Sequence, residues 1–450
     1  MNRRDFLRAG AAGAGSLAAL QTAAFAQAGE TPLRVALVGC GWYGKTDLFH
    51  LMQVAPVEVI AVCDADRRMA TAAAELVAAR QPSKNKPPLY GDYRKLLAEH
   101  QPEIVLVATP DHWHALPMIA ACRAGADVYV QKPISYDVIE GQAMVAAARK
   151  HDRTVQVGLQ RRSTPHLLEA RDKYLRTGKL GKIAYIDIHS YYGGPGPIPP
   201  DAAPPDGLDW ETYVGPAPRR EYNPAIHPRG WRSFREFSNG QVGDLCVHFF
   251  DVVRYFLELG WPRRIAASGG IFIRDAKSPS KVPDTQTAIF EYPDLQVVWT
   301  QRNWGAPGDP DSPWGATLYG ERGTLKLSVL SYDFIPHGDG QREHGDWLDE
   351  GKKYPQDAQH KETELFAAAA TRRHMQDFLA ARRERRKPAA DIEEAYISTA
   401  CCILANLSME LGRSLTWDAA AGRVAGDDEA NRRLARVYRA PWEHPTPDNV

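Results

Sequence analysis

Three short stretches carry side chains able to move a proton or polarise an oxygen. Lys132 closes the apolar run DVYV as part of Gln131-Lys132-Pro133. A lysine ending a buried strand is hard to place as core, so Lys132 is expected to serve as hydrogen-bond donor or proton relay for an alcohol undergoing oxidation. In GDLCVHFFD, Asp244, His248 and Asp251 fall at i, i+4 and i+7. One helical face then carries acid, imidazole and acid, an orienter beside a base. The same spacing also describes a helix capped by Asp244 whose core histidine bonds Asp251. The third stretch, Thr109-Pro110-Asp111-His112-Trp113-His114, follows the apolar run EIVLVA. A metal held by His112, His114 and His248 lacks any ligand-spacing motif, and none is expected. The six cysteines (40, 63, 122, 246, 401, 402) show no zinc spacing and read as buried free thiols.

A cofactor must sit near these groups, and RVALVGCGWYG supplies its cradle. Gly39, Gly41 and Gly44 stand in GxGxxG spacing between an apolar strand and a helix start. There the backbone can approach a pyrophosphate whose charge rests on the helix N-terminus. The whole turn, with Trp42 and Tyr43, is expected to touch the dinucleotide. About 20 residues past the last glycine, Asp64 ends the strand VEVIAVC, where a carboxylate accepts both adenosine ribose hydroxyls. Its charge disfavours a 2′-phosphate, so NAD is expected over NADP, although Arg67 and Arg68 open the following helix and leave a phosphate contact open.

The elements that position these residues begin with alternating apolar runs and helical patterns over residues 31–158. That pattern predicts a doubly wound parallel sheet covered on both faces, with ligands beyond the carboxyl ends of its strands. Residues 159–450 are expected to form a second α/β domain, because the runs from RRIAASGG to GTLKLSV succeed one another without helical crossovers, as in an antiparallel sheet. Helices are predicted around Glu362 to Arg382 and Ile392 to Leu411. A Gly/Pro-rich passage, 193–228, is too long for an ordinary connection and suggests a functional loop or an oligomer contact. Candidate substrate contacts are Gln160, Arg161 and Arg162, just past the last parallel strand, with Tyr191, Tyr192, Trp231 and Arg232 around the long passage.

Composition bounds the function. The 450 residues hold 55 Lys plus Arg against 55 Asp plus Glu, so the basic excess that phosphate-backbone partners demand is lacking and nucleic-acid binding is disfavoured. With 44% hydrophobic and 24% charged residues the chain reads as globular, not disordered. Residues 1–26 look like a twin-arginine signal peptide: Arg3-Arg4 precede an Ala/Gly/Leu stretch that ends in Ala24-Phe25-Ala26. That stretch is too short and too rich in small residues for a stable span of about 20 residues. The expected partner is the twin-arginine export machinery, which moves folded proteins with cofactor already bound, and the expected location is periplasmic or otherwise exported.

In order and spacing, GCGWYG, TPDHWH, QKP and GDLCVHFFD resemble the Gfo/Idh/MocA family, which includes glucose-fructose oxidoreductase and inositol dehydrogenase. The likeness runs from about Leu33 to the C-terminus and includes GATLYGERGTL and GDDEANRRLARVYRAPW. It implies a Rossmann domain followed by an α/β domain whose large, open, mainly antiparallel sheet builds homodimers or homotetramers. It also implies that Lys132 is the motif lysine, that Asp244 and His248 are the catalytic pair, and that Thr109, Pro110 and His114 line the nicotinamide. Gln131 stands where the family usually has glutamate, which puts its cofactor contact in question. The expected activity is oxidation of a CH–OH group of a sugar, polyol or glycoside by hydride transfer to tightly bound NAD. Two other readings are redox-neutral glycoside cleavage through a transient keto-sugar, and a carbohydrate-binding protein without catalysis.

Overall fold

The computed structural model describes residues 31–191, 198–275, 277–359 and 364–450. The twin-arginine segment and Tyr192 lie outside the described residues. In the first domain β1 (Leu33–Val38), β2 (Val57–Cys63), β3 (Leu89–Tyr90), β4 (Ile104–Val107), β5 (Asp127–Val130) and β6 (Val155–Val157) alternate with five helices. These are α1 (Trp42–Val54), α2 (Arg67–Arg80), α3 (Tyr93–His100), α4 (Ala115–Arg123) and α5 (Val138–Lys150). The sheet order is β3-β2-β1-β4-β5-β6, parallel throughout. Every residue of β4, β5 and β6 is buried, as a sheet covered on both faces requires. The strand order reverses between β1 and β4, which opens a crevice beyond their carboxyl ends. The short helix α3, with only Leu96 and Leu97 buried, adds to the elements expected from sequence.

The second domain is built on a ten-stranded sheet. Its strands are β7 (Ile183–Ser190), β8 (Arg264–Gly270), β9 (Thr285–Glu291), β10 (Gln296–Arg302), β11 (Trp314–Gly320), β12 (Gly323–Ser328), β13 (Ser331–Pro336), β14 (Glu343–Asp346), β15 (Leu415–Asp418) and β16 (Arg423–Val424). The order is β14-β13-β12-β11-β7-β10-β9-β8-β15-β16. Only β7 and β10 pair in parallel; the other described pairs are antiparallel. Along β9, Gln286, Ala288 and Phe290 are buried while the residues between them are not, so one face is core and the other open.

Three long helices tie the domains together: α6 (Val247–Leu257), α7 (Leu365–Glu384) and α8 (Ile392–Leu411). The ring of Phe250 on α6 packs 4.3 Å from that of Phe290 on the sheet. On α8, Ser408 Oγ accepts from the Ala267 amide of β8. Helix α7 instead returns to the first domain, where Met375 and Phe378 join Leu37, Leu48 and Leu106 in one cluster. Residues after 159 therefore complete the nucleotide domain as well as forming the second sheet.

The described part of the Gly/Pro-rich passage shares a small core with the residues that follow it: Leu208, Tyr213 and Ile226 pack with Trp231, Phe234 and Phe237 around a helical turn at Trp210–Val214. All six cysteines are buried free thiols. Among the described residues no helix is long and apolar enough to cross a membrane.

Candidate active site

The glycine turn folds as its spacing requires. Gly39 has φ +96°, and a Cβ there would lie 2.5 Å from the Ala108 carbonyl group. A Cβ on Gly44 would lie 2.0 Å from the Gly39 oxygen, so this glycine lets α1 pack on the turn and does not itself line the cavity. Asp64, at the end of β2, accepts from the Cys40 amide at 2.7 Å and the Asp66 amide at 2.8 Å. Each oxygen keeps a lone pair, and the residue lines the cavity. Burial raises its carboxyl to about 6 even against these two donors. A close backbone approach, a helix N-terminus and a pre-aligned carboxylate fit the pyrophosphate and ribose of a dinucleotide. Arg68 is engaged with Asp66 at 2.7 Å, and the Arg229 guanidinium lies 4.6 Å from the Trp42 ring.

Beyond the turn the crevice continues as a cavity of about 400 Å³ walled by both domains. Lys132 enters from the end of β5 and Asp244 from a π-turn, Val242–Cys246, that precedes α6. The Lys132 ammonium donates to Asp244 Oδ1 at 2.5 Å and to the Asp244 main-chain carbonyl at 2.7 Å. Arg232 Nε lies 3.3 Å from the same Oδ1. Burial alone would raise the Asp244 carboxyl, but the charges of Lys132 and Arg232 hold it well below the usual carboxylate range. His248, on the first turn of α6, is 5% exposed, with its ring edge-on to Trp314 at 5.4 Å and its Nδ1 without a hydrogen-bond partner. Burial, then the Lys132 charge, push its protonation well below the usual range, so it is a neutral imidazole able to accept a proton.

This geometry corrects the expected Asp244–His248–Asp251 face. Within the π-turn the Asp244 carbonyl accepts from Lys132, and the Asp244 carboxylate is bonded to Lys132 and Arg232. Asp251 belongs to the core: both of its oxygens accept from Arg162 at 2.7 Å, and Ser398 adds a third bond. Arg162 is therefore not a substrate contact; 3% exposed, it holds α6 against the turn after β6. Gln160 lies behind the cavity wall, donating to the Tyr43 hydroxyl at 2.7 Å. Tyr191 sits away from the cavity, stacked on His189 at 5.2 Å and under Arg302.

The remaining expected contacts do reach the cavity. Gly39, Gly41, Trp42 and Tyr43 line it at the nucleotide turn, and Thr109, Pro110 and His114 line it beyond β4. Arg161, Trp231 and Arg232 line it as well. His114 sits between two carbonyls, its Nδ1 2.7 Å from that of Pro133 and its Nε2 2.8 Å from that of Thr109; burial lowers its protonation to about 4, so the neutral ring donates its single N–H to one of them. His112 turns away to the Tyr213 carbonyl at 2.9 Å. Gln131 also lines the cavity; its amide donates to Asp47 Oδ2 at 2.7 Å, so the carboxylate missing from QKP is met by one from α1.

Three cavity residues are given no role by sequence: Asp111, inside the TPDHWH stretch, and Trp314 and Glu364, which belong to no candidate motif. Asp111, 2% exposed, has its carboxyl raised to about 8 by burial and the nearby Asp244 charge, so it is an acid at neutral pH. Trp314 arrives from β11, and Glu364 from the residue preceding α7. Only the folded topology brings Trp314 and Glu364 to the crevice.

Residues 33–159 match the model of an oxidoreductase family's NAD-binding Rossmann fold, and residues 208–416 match that family's C-terminal alpha/beta domain. The chain is similar to an inositol 2-dehydrogenase of Salmonella paratyphi B, 28% identical over 161 residues, which is 35% of this chain and 46% of that protein. It is also similar to the levoglucosan dehydrogenase of Pseudarthrobacter phenanthrenivorans, 24% identical over 235 residues, 50% of this chain and 51% of that protein. The chain thus spans about half the length of these curated relatives. A solved levoglucosan dehydrogenase in complex with NADH and levoglucosan shares the fold, with TM-score 0.62 at 18% identity over 86% of this chain and 99% of that one.

Proposed function

The chain belongs to the Gfo/Idh/MocA family of NAD-binding oxidoreductases, and from that premise we propose that it oxidises a CH–OH group of a sugar, polyol or glycoside. The observation that carries this reading is the convergence, in one cavity, of the dinucleotide turn with Lys132 from one domain and His248 from the other. Bound NAD supplies the hydride acceptor. Two of the three Lys132 N–H donors are spent on Asp244, which fixes the ammonium and leaves the third for the substrate oxygen. His248, neutral and open at Nδ1, takes the hydroxyl proton. Asp244 acts by holding the Lys132 side chain in place. With Arg68 committed to Asp66 and Asp64 beside the ribose position, NAD is favoured over NADP.

We place the enzyme outside the cytoplasm on the strength of Arg3-Arg4 and the small-residue stretch after them. An exported enzyme that shed its cofactor would lose it, which supports a tightly held NAD. The open sheet face, with Tyr185 40% and Tyr319 46% exposed and their rings 5.8 Å apart, supports a homodimer or homotetramer.

The test is to denature the purified protein, identify any released dinucleotide by mass spectrometry, and follow NADH absorbance over a set of sugars and polyols. Near-equal NAD(H) and a substrate-dependent NADH signal are expected, and both Lys132→Ala and His248→Ala abolish the signal. Turnover unchanged in both variants would sink the assignment. Release of an aglycone from a glycoside with no NADH accumulating would replace net oxidation by redox-neutral cleavage.

A further inference from the structure

Two groups in the cavity wall keep buried polar atoms that the fold leaves without hydrogen bonds. Arg161 is 4% exposed, yet its Nε and Nη1 are buried with no hydrogen bond. Its guanidinium lies 5.5 Å from the Trp314 ring, on the wall it shares with His248. Glu364 reaches the same cavity from the other side of the chain, and its Oε2 is buried with no hydrogen bond. Its backbone is left-handed, with φ 44°, which a non-glycine residue adopts only where its surroundings dictate it. Both groups lie beside Tyr43: the phenol hydrogen-bonds Glu364, while the Arg161 charge acts on it in the opposite sense. Gln160 holds the phenol from behind.

Among the described residues no ion pair joins Arg161 to Glu364 or to any other carboxylate. An unpaired buried guanidinium and an unpaired buried carboxylate oxygen are each costly, and both face one space. A ligand carboxylate would satisfy Arg161 but be repelled by Glu364; an ammonium would do the reverse. A hydroxyl group, which donates and accepts at once, satisfies both. The geometry points to Glu364 as a specificity-determining residue: it accepts from a ligand hydroxyl while Arg161 donates to that hydroxyl or its neighbour, selecting neutral polyhydroxylated substrates over their acidic and amino counterparts.

This inference rests on the cavity being a sugar site, but its test reads binding separately from hydride transfer. The NAD-loaded full-length protein is titrated calorimetrically with matched sets in the gluco, galacto and manno series: the neutral hexose, the hexitol, the uronate and the 2-amino sugar. Wild type is expected to bind a neutral member at least about 10-fold more tightly than its acid or amine. Glu364→Gln should lose about 10-fold or more for that neutral ligand and narrow the discrimination against the uronate, while melting temperature and NAD affinity stay near wild type. Glu364→Asp, which keeps the charge on a shorter arm, should fall between. Uronates binding wild type as tightly as neutral sugars, a selectivity ratio unmoved in Glu364→Gln, or no neutral sugar binding at all would overturn the inference. Selective binding without NADH formation would leave it standing and remove the oxidation instead.

Discussion

The Lys132 ammonium and Asp244 are joined twice, at 2.5 Å to the carboxylate and at 2.7 Å to the main-chain carbonyl, across the boundary between the two domains. A strand end in one domain and a widened helical turn in the other therefore meet at one nitrogen. Without Asp244 the Lys132 ammonium loses both of these acceptors, whereas Asp244 without Lys132 keeps only Arg232 at 3.3 Å.

That pairing makes Lys132 and Asp244 unequal in their mutants. Lys132→Ala removes the group aimed at the substrate oxygen, and kcat should fall by about 10² to 10⁴. Asp244→Asn leaves a hydrogen-bonding side chain but strips the charge that holds the ammonium, so a smaller loss of about 10 to 10² is expected. NAD affinity should change little in either. Steady-state kinetics with independent NAD titration check both, and an Asp244→Asn enzyme of wild-type kcat would refute the coupling.

The nucleotide end should respond to pH through Asp64. Its carboxyl, raised to about 6 by burial, must be ionised to accept from both ribose hydroxyls. NAD affinity is thus expected to hold above pH 7 and to weaken as pH falls through about 6, by up to about 10-fold per unit. Asp64→Asn should bind NAD about 10- to 100-fold more weakly at pH 7.5 and lose most of this dependence. Fluorescence titration from pH 5 to 8 distinguishes the two behaviours.

How far the sequence could lead is best seen at Arg161 and Arg162. The two neighbours look alike in the chain, and both follow the last parallel strand. A 3₁₀ turn over Gln160–Ser163 sends one guanidinium into the cavity and the other into a buried pair with Asp251. Local spacing carries no sign of that split, because the partner lies on α6. The glycine turn and Asp64 were legible because strand, turn and acid are close in sequence and their geometry is local. Asp244 was legible as an acid near a helix start, but the π-turn that directs it to Lys132 has no sequence signature. Glu364 was hidden altogether, since it depends on α7 returning to pack against the first domain.

The Arg162–Asp251 pair should carry stability and not chemistry. Arg162 is 3% exposed and Asp251 0%, with two bonds between them. Arg162→Met strands the aspartate in the core, at an expected cost of about 3–5 kcal/mol. The double variant Arg162→Met/Asp251→Leu should cost less than that single change, because no charge is left unpaired. Urea unfolding of the NAD-free protein measures both, and equal losses in the two variants would show that the charge itself is not what matters.

Acid should unfold the protein through histidines that the fold keeps neutral. Burial lowers His50, His114, His166 and His374 from an ordinary value of 6.5 to about 4. The unfolded chain takes up these protons first, so the stability they allow is complete above pH 6.5 and is lost as pH drops toward 4. Each group contributes about 1.4 kcal/mol per pH unit across that window. His374 is the cleanest probe, since it is fully buried between Ser163 and the Val157 carbonyl and does not line the cavity. Replacing it by glutamine should lower stability at pH 7.5 and flatten the fall between pH 6.5 and 5 by one proton. Urea midpoints that stay constant from pH 7 to 5 in the wild-type protein would mean these rings take up protons in the native state as readily as in the unfolded chain.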